Sequence, residues 1–156
     1  MNKVLAFVFL MMSGCYHILT GAELAAHGTR QFSQVSRAQA VAASATALET
    51  LGYKITVKEV ERGIIKTAPR VIMVNAVGGP GYANASEDAL AWNVVVEDSA
   101  SGAVIHAEPR GFRNGTEISE RGMPDILVDP KFRDLFKEIS STLGVAPVME
   151  QAPQNK

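Results

Sequence analysis

Residues 36–60 read SRAQAVAASATALETLGYKITVKEV, and this run decides the fold. Ser36 and Gln39 form the S-x-x-Q pattern of a capping box, in which each side chain satisfies a backbone N–H that a helix start leaves orphaned. Val41, Ala45, Leu48 and Leu51 then recur at helical spacing. Gly52 stands where a left-handed C-terminal cap is wanted. The spacing predicts a helix over 37–51 whose alanine-rich face can lie close against a sheet. Past Gly52 the period drops to two. Ile55 and Val57 point one way and Lys54, Thr56 and Lys58 the other, which predicts a half-buried strand over 53–60.

Working outward, residues 28–34 form a short first strand. Arg62-Gly63 is a turn, and strand resumes at 64–67 and 71–76, with Pro69 marking a bend or an edge. Residues 77–88 contain Gly78-Gly79-Pro80-Gly81 and are expected to loop. Trp92, Val94 and Val96 share one face of a strand over 91–98. Ala103, Ile105 and Ala107 share one face of the strand that pairs back over 103–108. Residues 109–128 look like a long irregular connection. Asp129 and Pro130 then suit the cap and first position of a second helix, with Phe132, Leu135, Phe136, Ile139 and Leu143 as its apolar stripe and Gly144 ending it. The order β-α-β-β-β-β-α predicts an α+β two-layer sandwich: an antiparallel four- to five-stranded sheet with two helices on one face. One domain over 29–146 follows, with a tether at 15–28 and a disordered polar tail at 147–156.

The 156 residues suffice for one domain, since two would each lack an adequate core. Fifteen Lys and Arg against 16 Asp and Glu supply no overall positive field, so a nucleic-acid partner is not expected. A single cysteine excludes an internal disulfide framework and any multi-cysteine zinc site.

That cysteine is Cys15. Lys3 precedes an apolar run from Val4 to Met12, the pattern of a signal-peptide core. The run is far short of the roughly 20 apolar residues of a spanning helix. Met12-Ser13-Gly14-Cys15 resembles the lipobox of bacterial lipoproteins, with Met12 where that family usually has Leu. The resemblance implies removal of residues 1–14 and diacylglycerol on the Cys15 sulfur, often with a third acyl chain on the new amine. Two or three chains hold a soluble domain at a bilayer where one binds only marginally. In enteric-type lipoproteins Asp after the cysteine signals inner-membrane retention. Tyr16 stands there, which favours the periplasmic side of the outer membrane in a Gram-negative source. The stretch ALETLGYKITVKEVERGIIKT at 47–67 also resembles the helix, strand and hairpin of envelope lipoproteins related to the BamC subunit of the β-barrel assembly machinery. That likeness implies a helix-grip-like fold in an envelope context and transfers no site residue.

Candidate chemistry is sparse. His106 and Glu108 are two apart on one strand and share a face, a spacing open to a metal or an acid–base pair, but further ligands are not evident. No G-x-S-x-G elbow is present, and the glycines at 78–81 lack the Lys and Ser or Thr of a phosphate loop. No catalytic residue, metal or cofactor is expected. Charge is segregated instead. Residues 53–70 carry Lys54, Lys58, Arg62, Lys66 and Arg70 against two acids, whereas 84–108 carry five acids and no Lys or Arg. Lys54, Lys58, Arg62 and Lys66 can block edge-to-edge pairing, or meet anionic headgroups or an acidic partner. The expectation is therefore a membrane-anchored envelope lipoprotein that acts as a non-enzymatic protein-interaction or assembly module, with loops 77–90 and 109–128 as contact surfaces. The alternative is a periplasmic carrier of a small apolar ligand or lipid.

Overall fold

The computed structural model describes residues 20–79, 82–118 and 125–148. The signal peptide over 1–14, Cys15 and the rest of the expected tether up to residue 19 lie outside these residues, as does the tail from 149 onward. The fold is α+β, with seven antiparallel strands and three helices among the described residues. In chain order they are α1 (Gly21–Gly28), β1 (Thr29–Ser33), α2 (Arg37–Thr50), β2 (Ile55–Glu59), β3 (Ile64–Thr67), β4 (Arg70–Gly79), β5 (Tyr82–Ser99), β6 (Gly102–Arg113), β7 (Thr116–Ile118) and α3 (Asp125–Leu143).

Two long strands organise the sheet. β5 pairs with the whole length of β6, from Asp88↔Arg113 to Ser99↔Gly102. On the far side of β5, β3 and β4 lie end to end: β3 pairs at Ile64↔Val95 and β4 from Arg70↔Leu90 to Gly79↔Tyr82. Pro69 falls in the gap between them. There the Trp92 N–H donates to Thr67 Oγ1 at 2.9 Å, so a buried hydroxyl replaces the missing ladder bond. On the far side of β6, β1 and β7 are also end to end. Pro109 sits in the stretch between them, where a residue with no N–H costs no strand pair, and α1 lies against β6 there. β2 closes the opposite edge by pairing with β3.

The helices cover one face. The buried side chains of β5 and β6 alternate, with Leu90, Trp92, Val94 and Val96 facing Ala103, Ile105 and Ala107. Ser36 and Gln39 form the expected capping box on α2. Ala40, Val41, Ala43, Ala45, Ala47 and Leu48 are all buried. Alanine lets α2 approach both the sheet and α3, and it packs against both. From α3, Val128, Phe132, Leu135, Phe136 and Ile139 complete the core.

Five expectations need correction. Residues 21–28, assigned to the tether, form α1 behind a Thr20–Glu23 capping box, with Leu24 and Gly28 buried. The expected loop at 77–88 is a hairpin: β4 runs to Gly79 and β5 starts at Tyr82, and pairs such as Ala76↔Ala85 and Asn75↔Ser86 hold residues that looked too small and polar for strand. The expected connection at 109–128 contains the end of β6, β7 and the start of α3; Asn114 (φ 50°) and Gly115 (φ 78°) make the tight turn between the two strands. α3 begins at Asp125, so Pro130 lies inside it and Asp129 is not its cap. At the other end Val148 is not free tail: its N–H donates to the Gln31 carbonyl at 2.8 Å.

Candidate functional site

The sheet face opposite the helices carries His106 and Glu108, as the strand period predicts. One row across it is Ile64, Val95, His106 and Thr29; the next is Val57, Lys66, Asn93 and Glu108. His106 and Glu108 do not act together. His106 Nδ1 lies 3.0 Å from Thr29 Oγ1 and its Nε2 3.7 Å from Glu97. Glu108 accepts from Asn93 Nδ2 at 3.2 Å. Among the described residues no three His, Cys, Asp or Glu side chains gather as a metal site.

The basic segment follows the β2 edge. A register shift between Ile55 and Val57 breaks the expected alternation. Ile55 stays opposite buried Thr67 and packs on the core, while Val57 turns to the open face opposite Lys66. Lys58, opposite buried Ile65, projects to the helix side, so Lys58 and Lys66 lie on opposite faces of the edge. Lys54, Lys58 and Lys66 are exposed and make no ion pair among the described residues. Arg62 pairs with Glu59 at 2.8 Å, and Arg70 turns back over the Tyr53 ring, 5.5 Å from its centroid.

Two features escape sequence reading. The first is the β4–β5 arm. β4 is ten residues long, its only partner strand is β5 among the described residues, and its one charged residue is Arg70 at the start. Val71 is 47 % exposed and Val74 59 %. At the arm's base Asp88 is buried and accepts from Arg113 Nε at 2.7 Å and from Asn75 Nδ2 at 3.2 Å, which ties three strands together. A hairpin signal was available in the Val71–Ala76 run and the glycines after it, but the polar half from Asn84 to Asp88 hid it.

The second is a groove of about 380 Å³ between α1, β1 and α3. Phe132 and Phe136 form its floor, and Arg30, Arg133 and Lys137 stand around it. The Arg30 guanidinium is 5.0 Å from the Phe136 ring centroid, and its Nη1 donates to the carbonyls of Ala26 and Thr29 at 3.1 and 2.6 Å. Arg133 and Lys137 are visible in the sequence as an i, i+4 pair beside the apolar stripe of α3. Arg30 lies about a hundred residues away in the chain, and only the fold brings it there.

Electrostatic perturbations are few and lie outside the groove. Arg110 and Glu117 form a two-pronged pair on the open side of β6 and β7, with Arg110 Nε donating to Glu117 Oε1 at 2.8 Å. That hydrogen bond, more than the bare charge, holds Glu117 below the usual carboxylate range. Burial pushes the Tyr53 phenol above its ordinary value. Neither the Tyr53 hydroxyl nor the neighbouring Trp92 Nε1 has a hydrogen-bond partner among the described residues, although both are buried.

No protein-family model matches the chain, and no curated protein matches it. Among solved structures it is similar to a DUF4468 family protein from Bacteroides ovatus ATCC 8483, with 11 % sequence identity and a TM-score of 0.46 over 78 % of this chain and 88 % of that one.

Proposed function

We propose that the chain is a lipid-anchored envelope protein, not an enzyme, which holds partner proteins by accepting an extended segment of theirs along β4. The observation that carries this reading is the edge of β4. Exposed edges offer unpaired N–H and C=O groups to any passing strand, and natural proteins blunt them with charge, brevity or Pro. β2, on the same side of the sheet beyond β3, is five residues long and carries Lys58 and Glu59. β4 is twice as long, and beyond its shift between Val71 and Met73 it keeps regular register with β5 and has no charged residue. Such an edge suits strand addition, in which main-chain bonds supply affinity and alternate side chains supply choice.

The anchor fits the same reading. Four residues lie between Cys15 and Thr20, where the described domain begins, and the five links that join them span at most about 18 Å when fully extended. Acyl chains on Cys15 would hold the domain against the bilayer and concentrate it where envelope proteins meet.

The test is a photo-crosslinking amino acid at Asn75, in cells, with Thr56 on β2 as the control position. The expected result is a discrete adduct from position 75 that disappears with Val71→Lys/Val74→Lys. Both valines are largely exposed, so the double variant should stay folded, its stability changing by about 0.5 kcal/mol or less per site. Adducts of equal strength from position 56, or adducts indifferent to the lysines, would overturn the assignment to β4.

A further inference from the structure

We infer that the groove between α1, β1 and α3 is a binding site for an organic anion: a phosphate or carboxylate carried on an apolar body. The argument starts from charge. Arg30, Arg133 and Lys137 border the groove, and the one carboxylate that lines it among the described residues, Asp129, is engaged by His27 at 3.0 Å. Three cations against one acid leave a net of two positive charges even with His27 neutral. Among the described residues Arg133 and Lys137 make no ion pair. A solvated surface mixes its signs, whereas here like charges converge on one concavity from α3 and β1.

Geometry sharpens the choice of ligand. Arg30 is already positioned, because its Nη1 is held by two carbonyls and its ring-facing side by Phe136. Its Nε and Nη2 make no hydrogen bond among the described residues, so they are left for an acceptor. A guanidinium fixed in this way presents paired donors that match a phosphate or carboxylate edge. Beneath it the floor is apolar: Phe132 and Phe136, with Pro147 at one side. A bare inorganic ion would meet only the cationic rim and none of the apolar lining, and a neutral apolar molecule would leave three cations without a counter-charge. The volume lies within the range of small-ligand sites. The chemistry is common to a phospholipid headgroup region and to a free amphiphilic anion. It does not rest on strand addition at β4, since the groove lies along β1 and α3 rather than at that edge.

The probe is phenyl phosphate, titrated calorimetrically into the full-length chain in dodecyl maltoside, with phenol and inorganic phosphate as the two halves of the ligand. Phenyl phosphate is expected to bind more tightly than either half. Arg133→Gln/Lys137→Gln, two exposed positions whose loss leaves the urea midpoint unchanged, should weaken it at least about tenfold. Arg30→Gln should weaken it as much. Doping the micelles with phosphatidylglycerol separates the two sources. Competition against phenyl phosphate marks a headgroup, and binding untouched by the lipid marks a free anion; either result supports the site. Phenol binding as tightly as phenyl phosphate, or an affinity that the α3 substitutions leave unchanged, overturns it. Val74→Lys should not alter this titration, which keeps it separate from the test of β4.

Discussion

Phe132→Ala removes the ring that ties α3 to the sheet and to α1. Phe132 is 2 % exposed; its centroid is 5.3 Å from that of Trp92 at 67°, and 6.3 Å from that of His27. Truncating a buried Phe to Ala costs about 3–5 kcal/mol, in which the lost apolar transfer and the residual cavity both count. An edge-to-face pair such as that with Trp92 contributes about 0.5–1.5 kcal/mol of this. Against a domain stability of about 5–15 kcal/mol, the middle of both ranges leaves the variant folded with about two-fifths of its margin lost. Trp92 is the only tryptophan, and it is buried beside the altered site, so its emission reports unfolding directly. In urea the midpoint should fall by on the order of 2 M with little change in slope. Phe132→Leu keeps most of the volume and gives up the ring pair, so its cost should be nearer about 1–1.5 kcal/mol. Equal midpoints for the Ala and Leu variants, or a shift under about 0.5 M for Ala, would show that α3 is not seated on the sheet through this residue.

Tyr53→Phe removes a buried hydroxyl that lacks a partner. Stability at neutral pH should hold or rise by up to about 1 kcal/mol, and a loss above that would reveal a partner. Because burial raises the phenol's pKa, the folded state keeps a proton that the unfolded chain releases. That stabilisation is complete below the ordinary tyrosine value and fades as pH rises toward the raised one, so the Phe variant should show a flatter alkaline limb in thermal melts. Gly63→Ala places a methyl 2.1 Å from the Val96 carbonyl oxygen at φ +67°, where it should cost at least about 2 kcal/mol in urea unfolding. Gly115→Ala meets nothing within 4 Å and should cost only the left-handed strain of about 1 kcal/mol; equal losses would refute the close approach at Gly63. Glu117, held low by Arg110, contributes stability above the ordinary carboxylate range that is lost as pH falls through its lowered value. Glu117→Gln should therefore flatten the acid limb of the melting curve, and an unchanged limb would mean that the pair does not form in solution.

What the sequence discloses depends on how locally the cause acts. α2 was legible because its cap, period and terminal glycine all lie within one stretch of chain, and the same holds for the buried alternation of Trp92, Val94 and Val96. The Asn114-Gly115 pair is a strong short hairpin signal, but the strand that leads into it contains Pro109, which local sequence alone reads against strand. Only the topology explains why Pro109 is tolerated: β5 pairs with it on one side, but on the outer side of β6 it falls between β1 and β7, where no strand needs its N–H. The β4–β5 arm was hidden for a related reason: Asn84 to Asp88 have low strand preference, and they are held by partners across the ladder rather than by their own propensity. α3 shows the opposite error. Asp129-Pro130 has the right chemistry for a helix start, but the helix begins earlier and Asp129 serves His27 instead. The cationic groove was beyond reach, since Arg30 and Arg133 meet only once β1 and α3 are packed.

The most direct test of the whole account is metabolic labelling with an alkyne fatty acid, comparing the natural chain with Cys15→Ser and following each through membrane fractionation. The account predicts a labelled chain in the membrane fraction, with label and membrane retention both lost in the serine variant. A natural chain that carries no label and stays in the aqueous fraction would contradict it.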